Sequence, residues 1–242
     1  AADQTVQDSM TLQYDTKSMN AEKMTPVIGK VRLSGKLRDA QKKLANWDHR
    51  LDRNSVAAAI FDLWEQSMLA LVYQRLVPED QAVNVSMITR EKLTQWLIDP
   101  PDFVFGDNPA RTRDRMIKQS MEMAVSKLTE KLGPDMDKWL YGSLHYAELN
   151  HPLSHLLSAD EQKKVNIPRL PRGGGSNTLN ANHGNSRQTS GASFRMIVDT
   201  ADWDGAMGTN TPGQSADPRS KHYANVYENW NKGDRKSTRL NS

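Results

Sequence analysis

Apolar residues recur at helical spacing along residues 1–134, and the recurrence fades after them. The best-defined stretch is 55–76. Val56, Ile60, Leu63, Trp64, Ser67, Leu71 and Arg75 trace one stripe, widened by Ala59, Met68 and Val72. A stripe that broad predicts a helix buried over much of its surface, opened at Ser55 and ended by Pro78. Over 89–98, Leu93, Trp96 and Leu97 face inward, and Asp99-Pro100-Pro101 stops the helix. Asn108 before Pro109 is a good N-cap with proline at N1. The helix it opens carries Ile117, Met121, Ala124, Leu128 and Leu132, and Gly133-Pro134 closes it. Residues 1–31 read as helical, with Pro26 expected to separate two helices. Residues 36–45 read as a short charged helix.

Beyond Asp135 the pattern becomes one of strands and loops. Pro152, Pro168 and Pro171 mark irregular chain, and 172–191 is rich in Gly, Ser, Asn and Thr. It reads as loop around one short strand near 178–180. Residues 191–199 alternate, with Phe194, Met196 and Val198 on one face and Arg195, Ile197 and Asp199 on the other. Asn210-Thr211-Pro212-Gly213 fits a type II turn, Pro212 presetting φ and Gly213 supplying a positive one. Ser220 is placed to cap a helix carrying Tyr223, Val226, Tyr227 and Trp230 on one side. The expected class is α+β: a helical lobe over 1–134, then a strand and loop region over 135–233.

Composition changes this picture at one point. The isoelectric point near 9.0 invites a nucleic-acid reading, but the formal charge is only +3. Residues 234–242, DRKSTRLNS, hold three basic residues against one acidic one and so supply +2 of it. They also read as the translation of a sequencing-library adapter, so the native sequence is expected to stop near Gly233. Without them the basic-protein argument disappears, and no nucleic-acid partner is expected. No run looks long enough to span a membrane, and no membrane partner is expected. With no cysteine in the chain, disulfides and thiolate chemistry are excluded.

Candidate chemistry is sparse. His145, His151 and His155 are grouped in a way that can suit zinc, but Pro152 interrupts helical spacing and hydrogen-bonded histidines are the better reading. Gly173-Gly174-Gly175-Ser176 matches neither common phosphate-loop pattern and reads as a flexible loop. Ser215 lacks the flanking glycines of a nucleophile elbow. Asp199, Asp202 and Asp204 lack the rest of a calcium loop. Trp47, Trp64, Trp96 and Trp139 read as core, and Arg111, Arg113, Arg115 and Lys118 as a solvated helix face. From the residues alone, catalytic, cofactor-binding and metal residues are all none.

The C-terminal pattern carries a resemblance. Thr211-Pro212-Gly213-Gln214-Ser215, then Asp217-Pro218, Ser220, His222 and Tyr223, then Trp230 ahead of Lys232-Gly233, are similar to the terminal signature of the penicillin acylase family. Residues 193–199 resemble its penultimate core strand. Weaker similarities include Gly174-Gly175, Asn177, Thr178 and Asn180; Gly142, Leu144 and His145 with His151-Pro152-Leu153; and Leu44 with Trp47-Asp48. Met10, Leu12, Gln13 and Asp15 resemble the segment that opens the helical region.

The resemblance implies an N-terminal-nucleophile amidohydrolase with a four-layer αββα fold, in which this chain is the C-terminal part of the β subunit. Activity on a linear amide, in a β-lactam side chain or an N-acyl-homoserine lactone, would use a serine exposed by self-cleavage. That serine, the oxyanion asparagine and the residues of a structural calcium site would all lie upstream, with no match here. The implied partners are an α subunit, the N-terminal part of the β subunit and a small N-acyl substrate. The implied location is periplasmic or secreted. The rival expectation is an independent helical binding module without catalysis.

Overall fold

A computed structural model describes residues 4–81, 86, 88–183, 186–188 and 190–233. The adapter-like stretch 234–242 lies outside the described residues. The elements are mixed: helices α1 (Val6–Gln13), α2 (Met19–Gly29), α3 (Gly35–Ala45), α4 (Val56–Leu76), α5 (Arg90–Ile98), α6 (Asp102–Phe105), α7 (Pro109–Leu132), α8 (Tyr141–Leu144), α9 (Ala159–Val165) and α10 (Tyr227–Lys232). Among the described residues six short strands form three antiparallel pairs: β1 (Tyr146–Leu149) with β2 (Ile167–Pro171), β3 (Asn182–His183) with β4 (Ser190–Gly191), and β5 (Phe194–Ile197) with β6 (Met207–Asn210). The chain divides into two compact units. One is Lys17–Ser143; the other joins residues 4–16 to 144–233. Helix α7 ends at Leu132, the compact helical unit runs on to Ser143, α1 belongs with the C-terminal unit, and α9 and α10 lie beyond the helical unit.

In the helical unit, α4 packs along α7, with α3, α6 and the turn at Met136–Lys138 also against it. Local signals position these helices well. Ser55 Oγ accepts from the Ala58 amide, Thr89 Oγ1 from Lys92, and Asn108 Oδ1 from Arg111. Gly133 closes α7 at φ 87°. α4 is buried on more than one stripe, with Ala57 to Phe61 and Leu63 to Glu65 all buried. It is long and apolar enough to cross a bilayer, contrary to the expectation that no run is, yet 67% of its most apolar window is buried within the protein. That burial is how a core helix looks. On α5, Trp96 is half-buried and Thr94 takes the inward place beside Leu93 and Leu97.

Several expectations are corrected. Pro26 does not separate two helices; the break is at residues 14–18, where Ser18 Oγ accepts from the Ala21 amide and starts α2. Pro26 sits inside α2, whose buried face (Ala21, Met24, Ile28) packs against α3 and α5 and holds the helix despite the missing donor. Pro168 and Pro171 lie in β2, which a two-stranded ribbon tolerates because every strand in it is an edge. The short strand expected near 178–180 is instead Asn182–His183.

The alternating run at β5 has the expected period, and the face that carries Arg195 is the covered one. Arg195 is buried at 7% exposure, while Phe194 and Met196 are 54% and 47% exposed. Gly213 has no positive φ, so the turn at Thr211-Pro212-Gly213 is not type II. Gly213 is there for space: a Cβ would sit 2.2 Å from the His222 carbonyl oxygen and 2.5 Å from that of Tyr223. Ser220 does not cap a helix. Its Oγ accepts from the His222 amide in a turn, and α10 begins only at Tyr227.

Candidate functional site

The densest polar construction in the C-terminal unit is built around two buried guanidiniums. Arg172 is 0% exposed. Its Nη1 donates to the Asn231 carbonyl at 3.2 Å and its Nη2 to Asn180 Oδ1 at 3.0 Å. Its Cζ lies 4.1 Å from the centre of the Trp230 ring. Arg195 reaches the same Asn180 Oδ1 through Nη2 at 2.7 Å, donates Nη1 to the Gln13 carbonyl, and lies 4.2 Å from the Tyr14 ring centre. Asn180 therefore ties two cations that aromatic faces also stabilise.

The loop 172–182 wraps this centre and is packed, which corrects its reading as flexible. Gly174 has φ 82°, and a Cβ there would lie 2.2 Å from the Asn180 carbonyl oxygen. Thr178 Oγ1 accepts from the Gly175 amide at 3.0 Å, and Asn182 Nδ2 donates to the Gly173 carbonyl at 3.0 Å. Asn182 Oδ1 meets His145 Nε2 at 2.6 Å. Burial, and then the Arg172 charge, lower the His145 pKa to about 4. At neutral pH the ring is therefore uncharged, and an Nε2–H donor matches the amide oxygen.

Helix α10 closes the construction. The Tyr227 hydroxyl donates to the Ala147 carbonyl at 2.8 Å, Trp230 Nε1 to Ala192 at 3.0 Å, and Asn231 Nδ2 to Pro171 at 3.0 Å. Ala147, Ile167, Tyr227 and Trp230 form an apolar core beneath. Gly233, left-handed at φ 69°, stops the helix where a Cβ would lie 2.7 Å from the Tyr14 ring. The terminal signature is thus a clasp. It joins residues 13–15, the β1–β2 pair and the loop 172–182, and its buried groups bond one another rather than a reacting centre.

A second titratable cluster lies inside the helical unit. Glu65 on α4 accepts from Arg90 Nε at 2.6 Å, and one turn earlier Asp62 accepts from Gln66 Nε2 at 2.8 Å. Burial raises the Glu65 carboxyl to about 7 and that of Asp62 to about 6, against the pull of Arg90. Burial also holds the nearby Tyr141 hydroxyl well above its ordinary value. The folded state thus binds protons that the unfolded chain has already released, so stability falls as pH rises from about 4.5 to 7 for Glu65. His145 acts oppositely, its contribution being lost as pH falls from 6.5 toward 4. The difference between wild type and Glu65→Gln isolates the carboxyl. Urea unfolding should show wild type losing roughly 3 kcal/mol relative to the variant between pH 4.5 and 7.5. Parallel pH profiles for the two proteins would contradict the assignment.

The other sequence candidates do not converge. His151 Nδ1 accepts from the Leu153 amide and His155 Nδ1 pairs with the Pro152 carbonyl. Among the described residues no group of three or more acidic or histidine side chains could hold a metal ion. Asp202 Oδ1 accepts from Gly205, Asp199 Oδ1 from Ala201, and Ser215 Oγ from Asp217. Trp64 and Trp139 are fully buried, and Trp47 nearly so. Arg113 leaves the solvated face and donates to the Leu97 carbonyl at 3.1 Å. The arginine clasp was missed as a unit, although Asn180 and the terminal motif were each noted in the sequence.

The penicillin amidase family model matches residues 1–242. An acyl-homoserine lactone acylase, QuiP, of Pseudomonas fluorescens (strain Pf-5) is 25% identical over 91% of this chain and 30% of its own length. The QuiP protein of P. fluorescens (strain Pf0-1) is 29% identical over 82% of this chain and 25% of its own. The penicillin acylase 2 proenzyme of Pseudomonas sp. (strain SE83) is 24% identical over 89% and 29%. The chain therefore spans under a third of the length of these relatives, all of which are named as acylases. Matched along its whole length, and closed by the terminal motif that the clasp explains, the chain belongs to the penicillin amidase family.

Proposed function

We propose that this chain is the C-terminal part of the β subunit of an acylase that hydrolyses a linear amide in a small N-acyl substrate, either an acyl-homoserine lactone or a β-lactam side chain. The observation that carries the reading is the family match over residues 1–242, together with relatives named as acylases. The use of the buried polar groups described above as internal ties fits a part that supports an active site supplied by other segments. In this reading a serine at the head of the β subunit attacks the amide carbonyl, its own α-amino group taking the proton. Backbone and asparagine donors hold the oxyanion; as it collapses the C–N bond breaks and the α-amino group returns the proton to the departing amine, and water then attacks the acyl-enzyme to release the acid and free the serine. The α subunit and the N-terminal part of the β subunit complete a four-layer αββα fold, any structural calcium is held by their residues, and the enzyme works in the periplasm or outside the cell.

Purified 242-residue chain should therefore give no hydrolysis of phenylacetyl or long-acyl amides. The complete reading frame should self-cleave and release the free acid from an N-acyl-homoserine lactone or from a phenylacetyl amide. Turnover by the isolated chain that survives repeated purification would overturn the division of labour. A processed complete protein inert toward both amide classes would overturn the acylase reading itself.

A further inference from the structure

The connection between β5 and β6 carries the only Asp-Gly pair in the sequence, Asp204-Gly205, and Asn-Gly does not occur. An aspartate followed by glycine is chemically labile. The glycine nitrogen can attack the aspartate's own Cγ, because no Cβ beside that nitrogen hinders the approach and the backbone there turns freely. The N–Cγ bond forms, and the carboxylic acid gives up its hydroxyl, which leaves as water with the proton of the nitrogen. The product is a five-membered succinimide. Water then reopens it. Cleavage of the N–Cγ bond restores aspartate; cleavage of the original peptide bond leaves isoaspartate, with the main chain running through Cγ.

Local structure withholds the nucleophile. Trp203–Gly205 forms one 3₁₀ turn, capped by Asp202. The Gly205 N–H donates to the Asp202 carbonyl and to Asp202 Oδ1, each at 3.1 Å, and the Ala206 amide donates to the Trp203 carbonyl at 3.2 Å. Attack requires the Gly205 nitrogen to lose that proton and turn toward Asp204 Cγ, so both bonds to Asp202 must break first. The same glycine permits the closure: a Cβ at 205 would lie 2.6 Å from Asp202 Oδ2. The residue that makes Asp204 labile is thus the one that lets the Asp202 carboxylate sit over the amide. Residues 201–204 are exposed, so the water that reopens a succinimide has access.

We propose that Asp204 is a site of isoaspartate formation, and that Asp202 is the latch that sets its rate. While the cap is closed the Gly205 nitrogen is held; when the turn opens, the ring closes on Asp204. The site needs only residues 202–205 and is independent of the acylase reading.

The test incubates the 242-residue chain at neutral pH in heavy-oxygen water. Each reopening of the ring adds one heavy oxygen to residue 204, whichever bond is cleaved, and mass spectrometry of the peptide holding Asp204 counts it. Methyl transfer to the freed α-carboxylate by an isoaspartyl methyltransferase reads the isoaspartate share. Folded wild type should take up label at least tenfold more slowly than the same chain in guanidinium chloride. Asp202→Ala should speed uptake in the folded chain about tenfold, the factor for one lost hydrogen bond to a charged group. Asp202→Asn keeps an acceptor oxygen and should stay within about threefold of wild type. Asp204→Glu should abolish the label, because a six-membered ring closes far more slowly. Equal uptake by folded and unfolded wild type would overturn the proposal without any variant. So would an unchanged rate in Asp202→Ala; a slower one would make Asp202 a base that draws the proton off Gly205 rather than a latch.

Discussion

Replacing Arg172 by alanine is expected to lower the unfolding free energy by about 3–5 kcal/mol, the range for emptying a large, fully buried site and leaving a buried acceptor without its donor. The side chain is wholly buried, donates to Asn180 and Asn231, and covers the Trp230 ring. Truncation leaves a void over the indole and strips the Asn231 carbonyl of its donor. Two further variants separate charge from shape. Arg172→Lys keeps the charge but has no planar fork to reach Asn180 and Asn231 together, so it should recover less than half of the loss. Arg172→Met fills much of the volume and removes the repulsion with Arg195, so it should cost only about 1–2 kcal/mol. Urea unfolding followed by tryptophan fluorescence reads all three. An alanine variant within 1 kcal/mol of wild type would show that the clasp does not hold α10 in place.

The elements legible in the sequence are those whose signals are local. Asn108 caps α7 as expected, the helices expected from Ser55 and Thr89 start there with those residues as caps, and Gly133 ends α7 where a positive φ was needed. What failed depends on partners far along the chain. Alternation over 191–199 specifies two faces but not which is covered. The answer comes from Tyr14, Gln13 and Asn180, which draw Arg195 inward and leave Phe194 outside. The proline rule failed at Pro26 because packing of α2 outweighed one missing donor. Pro168 and Pro171 misled because an edge strand needs few ladder donors.

The candidate site was legible as pieces and not as a site. Gly, Ser and Asn between 172 and 182 look like mobile loop by composition, yet those residue types also permit the close backbone approach at Gly174 and the side-chain ties of Thr178 and Asn182. Nothing local distinguishes the two uses. The family resemblance was legible for a different reason. A clasp whose members contact one another tightly constrains residue type at many positions together, at Gly213, Trp230 and Gly233 among them, and such a joint pattern can be read without knowing the contacts.

The second large effect is expected at Trp64, in the middle of α4. Trp64 is 0% exposed and lies 5.7 Å from Phe61, centre to centre. Trp64→Ala removes one of the two fully buried tryptophans of the helical unit and should cost about 3–5 kcal/mol, from lost burial and an unfilled cavity. Volume alone would make Trp64→Phe an intermediate case. The indole Nε1–H, however, is buried without a hydrogen-bond partner, an arrangement that costs about 1–3 kcal/mol. Phenylalanine deletes that donor together with part of the ring, so the two effects oppose and the net change should stay within about 1 kcal/mol. Trp203, 69% exposed, supplies the control: Trp203→Ala should shift the midpoint hardly at all. Equilibrium unfolding of the three variants distinguishes the accounts. If Trp64→Phe costs about half of what Trp64→Ala does, lost volume governs this position and the unpaired indole donor carries no measurable penalty.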